Sequence, residues 1–191
     1  MDLFLTEMAD VKPLIHNRMA PTACHNGATD AQKARKAAAQ MNEYLLRLPL
    51  ELALIPPVKP DDMLSFKRPG VQDAVFKNLR LGKYKVAAAL DVHAMSRRQA
   101  RDTLVTFLLA HVRLGNRCVL VIHGKGHHSK PFPALIKSCV NHWLTQMDEV
   151  QAFHSATRGQ GDYGAVYVML PKHAQQKVAA REQNRRGSHL R

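Results

Sequence analysis

Cysteine is scarce in this chain. The three present, Cys24, Cys118 and Cys139, are odd in number and widely spaced. They form neither a disulfide framework nor a zinc-binding pattern. Cys118 and Cys139 fall in apolar runs and read as buried thiols, which fits a reducing cytoplasm. A second absence is any apolar run of about 18 residues, so no membrane-spanning helix is expected. The stretch Met1–Asp10 has neither the basic start nor the apolar core of a secretory signal. No small-molecule cofactor fingerprint is evident. The expected setting is cytoplasmic, with no membrane partner.

Acidic residues are also in short supply. Lys and Arg number 28 against 15 Asp and Glu, a net charge of +13 over 191 residues. The excess is concentrated. Residues 1–79 are nearly balanced, with ten basic and nine acidic residues, whereas residues 80–172 hold thirteen and five. Residues 173–191 hold five and one. A basic domain followed by a basic tail suggests a polyanionic partner, DNA or RNA.

Local signals divide the chain into an N-terminal extension (1–83), a regular domain (84–171) and a basic, mobile tail (172–191). Within the extension, residues 1–28 read as an irregular arm. Thr29 or Asp30 caps an Ala-rich helix to about Leu48. Five prolines between 49 and 70 impose an extended linker, and Val71–Leu81 reads as a short helix ended by Gly82. From Tyr84 the pattern is regular. Strands are expected over Val86–His93, Cys118–Ile122, Val150–His154 and Gly164–Leu170. Ser96 and Gln99 form a capping box for a helix ending near Gly115, and a second helix spans about Pro133–Met147. The order β-α-β-α-β-β predicts a two-layer α/β sandwich with a mixed sheet.

Residues with chemistry gather at strand ends. Asp91 and His93 share one face at the end of the first strand of the domain. His123-Gly124-Lys125-Gly126 begins at the end of the next. In a parallel arrangement these ends meet at one edge, where sites form. Glycines let a backbone approach phosphate closely, and Lys125 adds charge. Two histidines and a carboxylate are a sensible set for phosphodiester cleavage: one imidazole activates a water or ribose hydroxyl, and another protonates the leaving oxygen. The chemical rival is a divalent metal held by Asp91, His93, His123, His127 or His128; no cofactor is certain. His127-His128 reads more simply as a solvated pair. His111 and His142 read as surface or interface groups, and His154 is a weaker candidate. Arg97, Arg98, Lys130, Lys137 and Arg158 form a candidate phosphate track. Tyr163 either stacks on a base or fills a hairpin.

Three ordered blocks carry a family resemblance. Leu90-Asp91-Val92-His93-Ala94, Ile122-His123-Gly124-Lys125-Gly126, and Ala152-Phe153-His154 with Gly161-Asp162-Tyr163-Gly164-Ala165 resemble the signatures of the Smr (small MutS-related) domain over about 86–170. Phe66–Val71 and Leu79–Gly82 resemble the leader of stand-alone bacterial Smr proteins. The resemblance implies a sandwich like the C-terminal domain of translation initiation factor three. It also implies DNA nicking or RNA cleavage, with Asp91, His93, His123, Gly124 and Gly126 as matching motif positions. Ala94 and Asp162 depart from the family's glycines. Two functions are expected from this: an endonuclease using Asp91, His93 and His123, or a non-catalytic module docking on RNA or ribosomes. The helix before residue 48 is a candidate partner-binding or dimer-forming element. Oligomeric state is not legible.

Overall fold

The computed structural model describes residues 28–172. The arm expected before residue 28 and the basic tail expected after 172 lie outside the described residues. The chain divides into two compact units between Ala37 and Ala38. In the first, Thr29 caps helix α1 (Asp30–Arg47). The Gln32 amide donates to Thr29 Oγ1 at 3.3 Å, and the Thr29 amide donates back to Gln32 Oε1 at 2.9 Å. This is the reciprocal capping that satisfies the free amides of a first helical turn.

The second unit contains the rest of α1, then β1 (Ser65–Lys67), α2 (Asp73–Arg80), β2 (Ala89–Asp91) and α3 (Arg97–Arg113). It continues with β3 (Cys118–Ile122), α4 (Leu135–Gln146), β4 (Ala152–Ser155) and β5 (Ala165–Met169). The expected β-α-β-α-β-β order runs from β2 to β5. The five strands form one mixed sheet in the order β1-β4-β5-β3-β2. Only β2 and β3 are parallel; the other neighbours are antiparallel.

Alternation along the strands assigns the two faces. Val119, Val121, Phe153, Val166 and Val168 join Leu104 and Leu108 of α3 and Trp143 and Leu144 of α4 in the main core. Cys118, Leu120, Ala152, Tyr167 and Met169 point the other way and gather around Leu79 of α2. The sandwich of sheet and α3/α4 therefore carries α2 on its second face. The capping box at Ser96 and Gln99 is formed.

The first strand of the regular domain is shorter than its sequence suggests. Only Ala89–Asp91 ladders fully, although Ala87 N–H donates to Cys118 O at 2.9 Å. As a sheet edge with one neighbour and three alanines, it has little side-chain packing to extend it.

The Pro-rich linker holds a larger surprise. Apart from a single 3-10 turn over Leu52–Leu54 it is extended as expected, but Ser65–Lys67 joins the sheet as an edge strand against β4. Extended chain leaves backbone carbonyls without internal partners, and the domain supplies donors for them. Trp143 Nε1 donates to Pro49 O (2.9 Å), Arg97 Nη1 to Leu50 O (2.7 Å), and buried Lys137 Nζ to Pro60 O (2.7 Å) and Asp62 O (2.6 Å). Leu64 and Ser155 close the set: Leu64 N–H donates to Ser155 Oγ, and Ser155 N–H to Leu64 O, both at 2.8 Å. Ser155→Ala leaves the Leu64 amide unpaired next to a buried residue. The expected cost is about 1–3 kcal/mol, read as a lower midpoint in urea unfolding; an unchanged midpoint would show that water replaces the hydroxyl.

Candidate active site

β2 and β3 end together, with Asp91 opposite Ile122 and Val92 N–H donating to Ile122 O at 2.8 Å. Paired residues project to the same side of a sheet. Ile122 packs with the α2-side cluster, so Asp91 lies on that side of the edge. Its carboxylate accepts from the His93 amide at 3.0 Å and lies 2.5 Å from His93 Nδ1. Partial burial pushes the Asp91 pKa up, but the His93 amide and ring outweigh this and hold it below its ordinary value. The tautomer that makes the bond carries its proton on Nδ1, leaving Nε2 as a base. The His93 side chain is 58% exposed, and Nε2 has no protein partner among the described residues.

The loop after β3 packs directly beneath this pair. A Cβ on Gly124 would lie 3.2 Å from His93 Cβ, and Gly124 adopts φ +71°. A Cβ on Gly126 would lie 2.7 Å from Ser129 Oγ and 3.0 Å from the Ala134 Cα, at φ +66°. Both positions therefore require glycine. The His123 and Gly124 amides each donate to Gly164 O at 2.9 Å. Among the described residues, the amides of Lys125, Gly126 and His127 have no protein acceptor. Successive free amides in such a turn form a concavity suited to an anion.

The structure separates His123 from the other two expected catalytic groups. Following Ile122, it turns to the opposite side and is only 2% exposed. Its Nδ1 donates to Gly124 O at 2.8 Å, while Nε2 is buried without a partner among the described residues. Burial pushes its pKa down to about 4, against the Gly124 hydrogen bond, and the Lys137 ammonium adds to the lowering. Asp91 and His93 are thus together at the surface, and His123 lies under the loop.

The basic track is also redistributed. Arg97 is half-buried and holds the linker through Leu50 O. Lys125 Nζ lies 3.5 Å from Asp61 and 4.0 Å from Asp162, over the Tyr163 ring at 5.5 Å. Tyr163 also receives the Lys137 ammonium at 5.9 Å, so its ring is already covered by cations. Arg98, Lys130 and Arg158 are exposed. Asp162, the departure from glycine, adopts φ +52°. His154 is buried, donates to Ser155 O and packs edge-on against Phe76. His111 and His142 bond within their own neighbourhoods, to Asn116 and Gln146. Lys137, expected on the phosphate track, is instead buried beneath the linker carbonyls, and Asp61 was not legible as a site neighbour. The one available signal was the carbonyl surplus of a proline-rich segment, which demands donors from elsewhere. Among the described residues, no group of three or more His, Cys, Asp and Glu is placed to hold a metal ion. None of their helices is long and apolar enough to cross a membrane.

These features define an α/β domain with an Asp-His pair set over a glycine loop, and the sequence motifs match a known family. A family model of the Smr domain covers residues 90–171, and the chain belongs to the Smr family. It is 35% identical over 175 residues to the probable DNA endonuclease SmrA of Escherichia coli, covering 92% of this chain and 90% of that protein. It is 28% identical over 170 residues to the ribosome rescue factor SmrB of Photobacterium profundum, covering 89% and 91% respectively. The crystal structure of YdaL, a stand-alone small MutS-related protein from Escherichia coli, superposes with a TM-score of 0.57 at 35% identity. That match covers 65% of this chain and 94% of YdaL.

The state of His123 has a measurable consequence. With a folded pKa of about 4, the imidazole stays neutral while its unfolded counterpart gains a proton below about 6.5. Stability is then full above about 6.5 and declines as pH falls toward 4, by a total on the order of 3 kcal/mol. Unfolding free energy measured across this range is expected to fall for the wild type and less steeply for His123→Asn. Parallel slopes would show that His123 is accessible to protons in the folded state.

Proposed function

We propose that the protein is an endonuclease that cleaves phosphodiester bonds, nicking DNA, with His93 as its proton-transfer group. The observation that carries this reading is the Asp91–His93 pair, whose exposed His93 side chain rests at its base on Gly124, the start of a loop of unengaged amides. Asp91 fixes the ring and stabilises the imidazolium that forms when Nε2 accepts a proton. The free amides of Lys125 and Gly126 suit the non-bridging oxygens of a phosphodiester. In the reaction, Nε2 takes a proton from the attacking oxygen, that oxygen bonds to phosphorus, and the bond to the leaving oxygen breaks. The leaving oxygen then receives a proton, returned by His93 Nε2 or drawn from water. His123 serves here as a support: neutral and buried, it ties Gly124 into the conformation on which His93 rests. Lys125 contributes charge, and the exposed Arg158 is a candidate phosphate contact.

A second reading is RNA cleavage, or RNA binding without cleavage. It is favoured by the similarity to proteins named ribosome rescue factors. On RNA the attacking oxygen is a ribose hydroxyl; on DNA it is water.

The test is cleavage of supercoiled plasmid and, in parallel, of labelled RNA, each with and without chelator. His93→Ala is expected to lower the rate at least ~100-fold on the true substrate while retaining most binding. Asp91→Asn is expected to lower it as well, with binding unchanged. Equal cleavage by wild type and His93→Ala would overturn the assignment. Binding with no product on either substrate would favour the non-catalytic alternative, and the chelator lanes decide the metal question.

A further inference from the structure

The two sides of the sheet edge around His93 differ in charge. On the side of α4, the cation nearest the loop is already engaged. Lys125 lies between Asp61 and Asp162, and Asp61 also lies 3.9 Å from His127 Nε2. Lys137 is spent on the carbonyls of Pro60 and Asp62, and Arg97 on that of Leu50. Next to the loop, a strand crossing this side meets carboxylates and cations with existing partners, and the exposed cations without an ion pair among the described residues on this side are Arg98, at the start of α3, and Lys130, in the loop before α4.

The α2 side is different. Asp91 projects toward it, as its pairing with Ile122 requires. The C-terminal end of α2 reaches the same end of the strands, over β4 and β5. Gly82, at φ +64°, approaches so closely that a Cβ would lie 3.0 Å from Tyr167 Oη and 3.3 Å from Thr157 Cγ2. Thr157 stands just beyond the end of β4, and its amide and hydroxyl both meet Tyr167 Oη. This contact places the corner Arg80-Leu81-Gly82-Lys83 against Thr157-Arg158, at the start of the loop leading to Gly164 and Gly124. Arg80, Lys83 and Arg158 are exposed, and among the described residues none of them forms an ion pair. Asp73, the carboxylate of α2, sits at its far end and is paired with Lys67 at 2.5 Å.

We infer that the nucleic-acid strand leaves the His93 site on the α2 side, and that Arg80 and Lys83 bind its phosphates beyond Arg158. The ligand chemistry is a polynucleotide backbone, read by charge and without base contacts. The inference rests on the reading of this edge as a nucleic-acid site, but it does not require that the site cleave.

Binding is measured in the His93→Ala background, so that cleavage cannot intervene. Fluorescein-labelled single-stranded DNA and RNA oligonucleotides are titrated across a salt series by fluorescence anisotropy. Two double variants are compared, Arg80→Ala/Lys83→Ala and Arg98→Ala/Lys130→Ala, with thermal unfolding confirming that both remain folded. The α2-side pair is expected to weaken binding at least tenfold and to flatten the log–log salt dependence by about 1.4, the loss of two phosphate contacts on a single strand. The α3/α4-side pair is expected to cost about threefold or less. An equal or larger loss from Arg98→Ala/Lys130→Ala, or an unchanged slope in Arg80→Ala/Lys83→Ala, would overturn the inference. Wild-type-like binding to RNA but not DNA, or the reverse, identifies which backbone is taken. Loss of the cleavage reading in the plasmid and RNA assays leaves these binding results standing, whereas no binding to either oligonucleotide overturns both readings.

Discussion

The site depends on the contact between Gly124 and Gly164. The Gly164 carbonyl accepts the amides of both His123 and Gly124, and an added Cβ on Gly164 would touch the Gly124 backbone at 3.5 Å. This junction fastens the end of β3 to the start of β5. It also fixes the height of Gly124, against which the base of the His93 side chain rests. A side chain at Gly124 would crowd His93 and would be strained by the positive φ. The same loop is closed from its other end by Gly126, whose carbonyl receives the Ala134 amide at 2.7 Å. Motif glycines are thus the means by which two strand ends and the start of α4 come close enough to share one surface.

Net positive charge is divided between two uses. Arg97 and Lys137 donate to carbonyls of the extended linker, while Arg101 and Arg68 donate to carbonyls at or just beyond the C-terminal ends of α1 and α4. Both kinds of segment are short of internal donors, and a long side chain with a charged tip reaches their carbonyls while packing its stem. Such cations add to the net charge of the chain without being available to a polyanion. A total of +13 therefore overstates the phosphate-binding capacity of the described domain, and the distribution of unspent cations carries the functional information.

Much of the fold was legible because its signals are local or periodic. The capping box at Ser96, the apolar run of β3 and the glycine stop after α3 each specify their element without help from distant sequence. The Asp91–His93 pair was legible because a two-residue spacing at a strand end keeps the two close, although the structure joins them through the turn after β2, where the His93 amide donates to the Asp91 carboxylate. What was not legible depends on contacts distant in sequence. Ser65–Lys67 becomes a strand only because β4 offers an edge, and three residues after a proline-rich run show no alternation to read. The separation of His123 from His93 is subtler. Alternation at the end of β3 turns His123 away from Ile122, but its depth follows from the packing of α4 and Lys137, which one sequence does not display.

That separation constrains the chemistry proposed for this edge. A pair of histidines acting as base and acid requires both rings to reach the reacting oxygens. Here His93 is exposed, while His123 and His154 are buried, each with Nδ1 bonded to a neighbouring carbonyl. A buried neutral imidazole with a depressed pKa is a poor proton donor near neutrality. In the proposed reaction, the proton taken up by His93 in the first half must then return through the same nitrogen, or the leaving oxygen must draw one from water. Asp91 suits a single group used twice, since its bond to Nδ1 stabilises the charged intermediate between the two transfers. The arrangement thus favours one positioned imidazole over an acid–base couple, with the glycine loop and not a second histidine supplying the rest of the stabilisation.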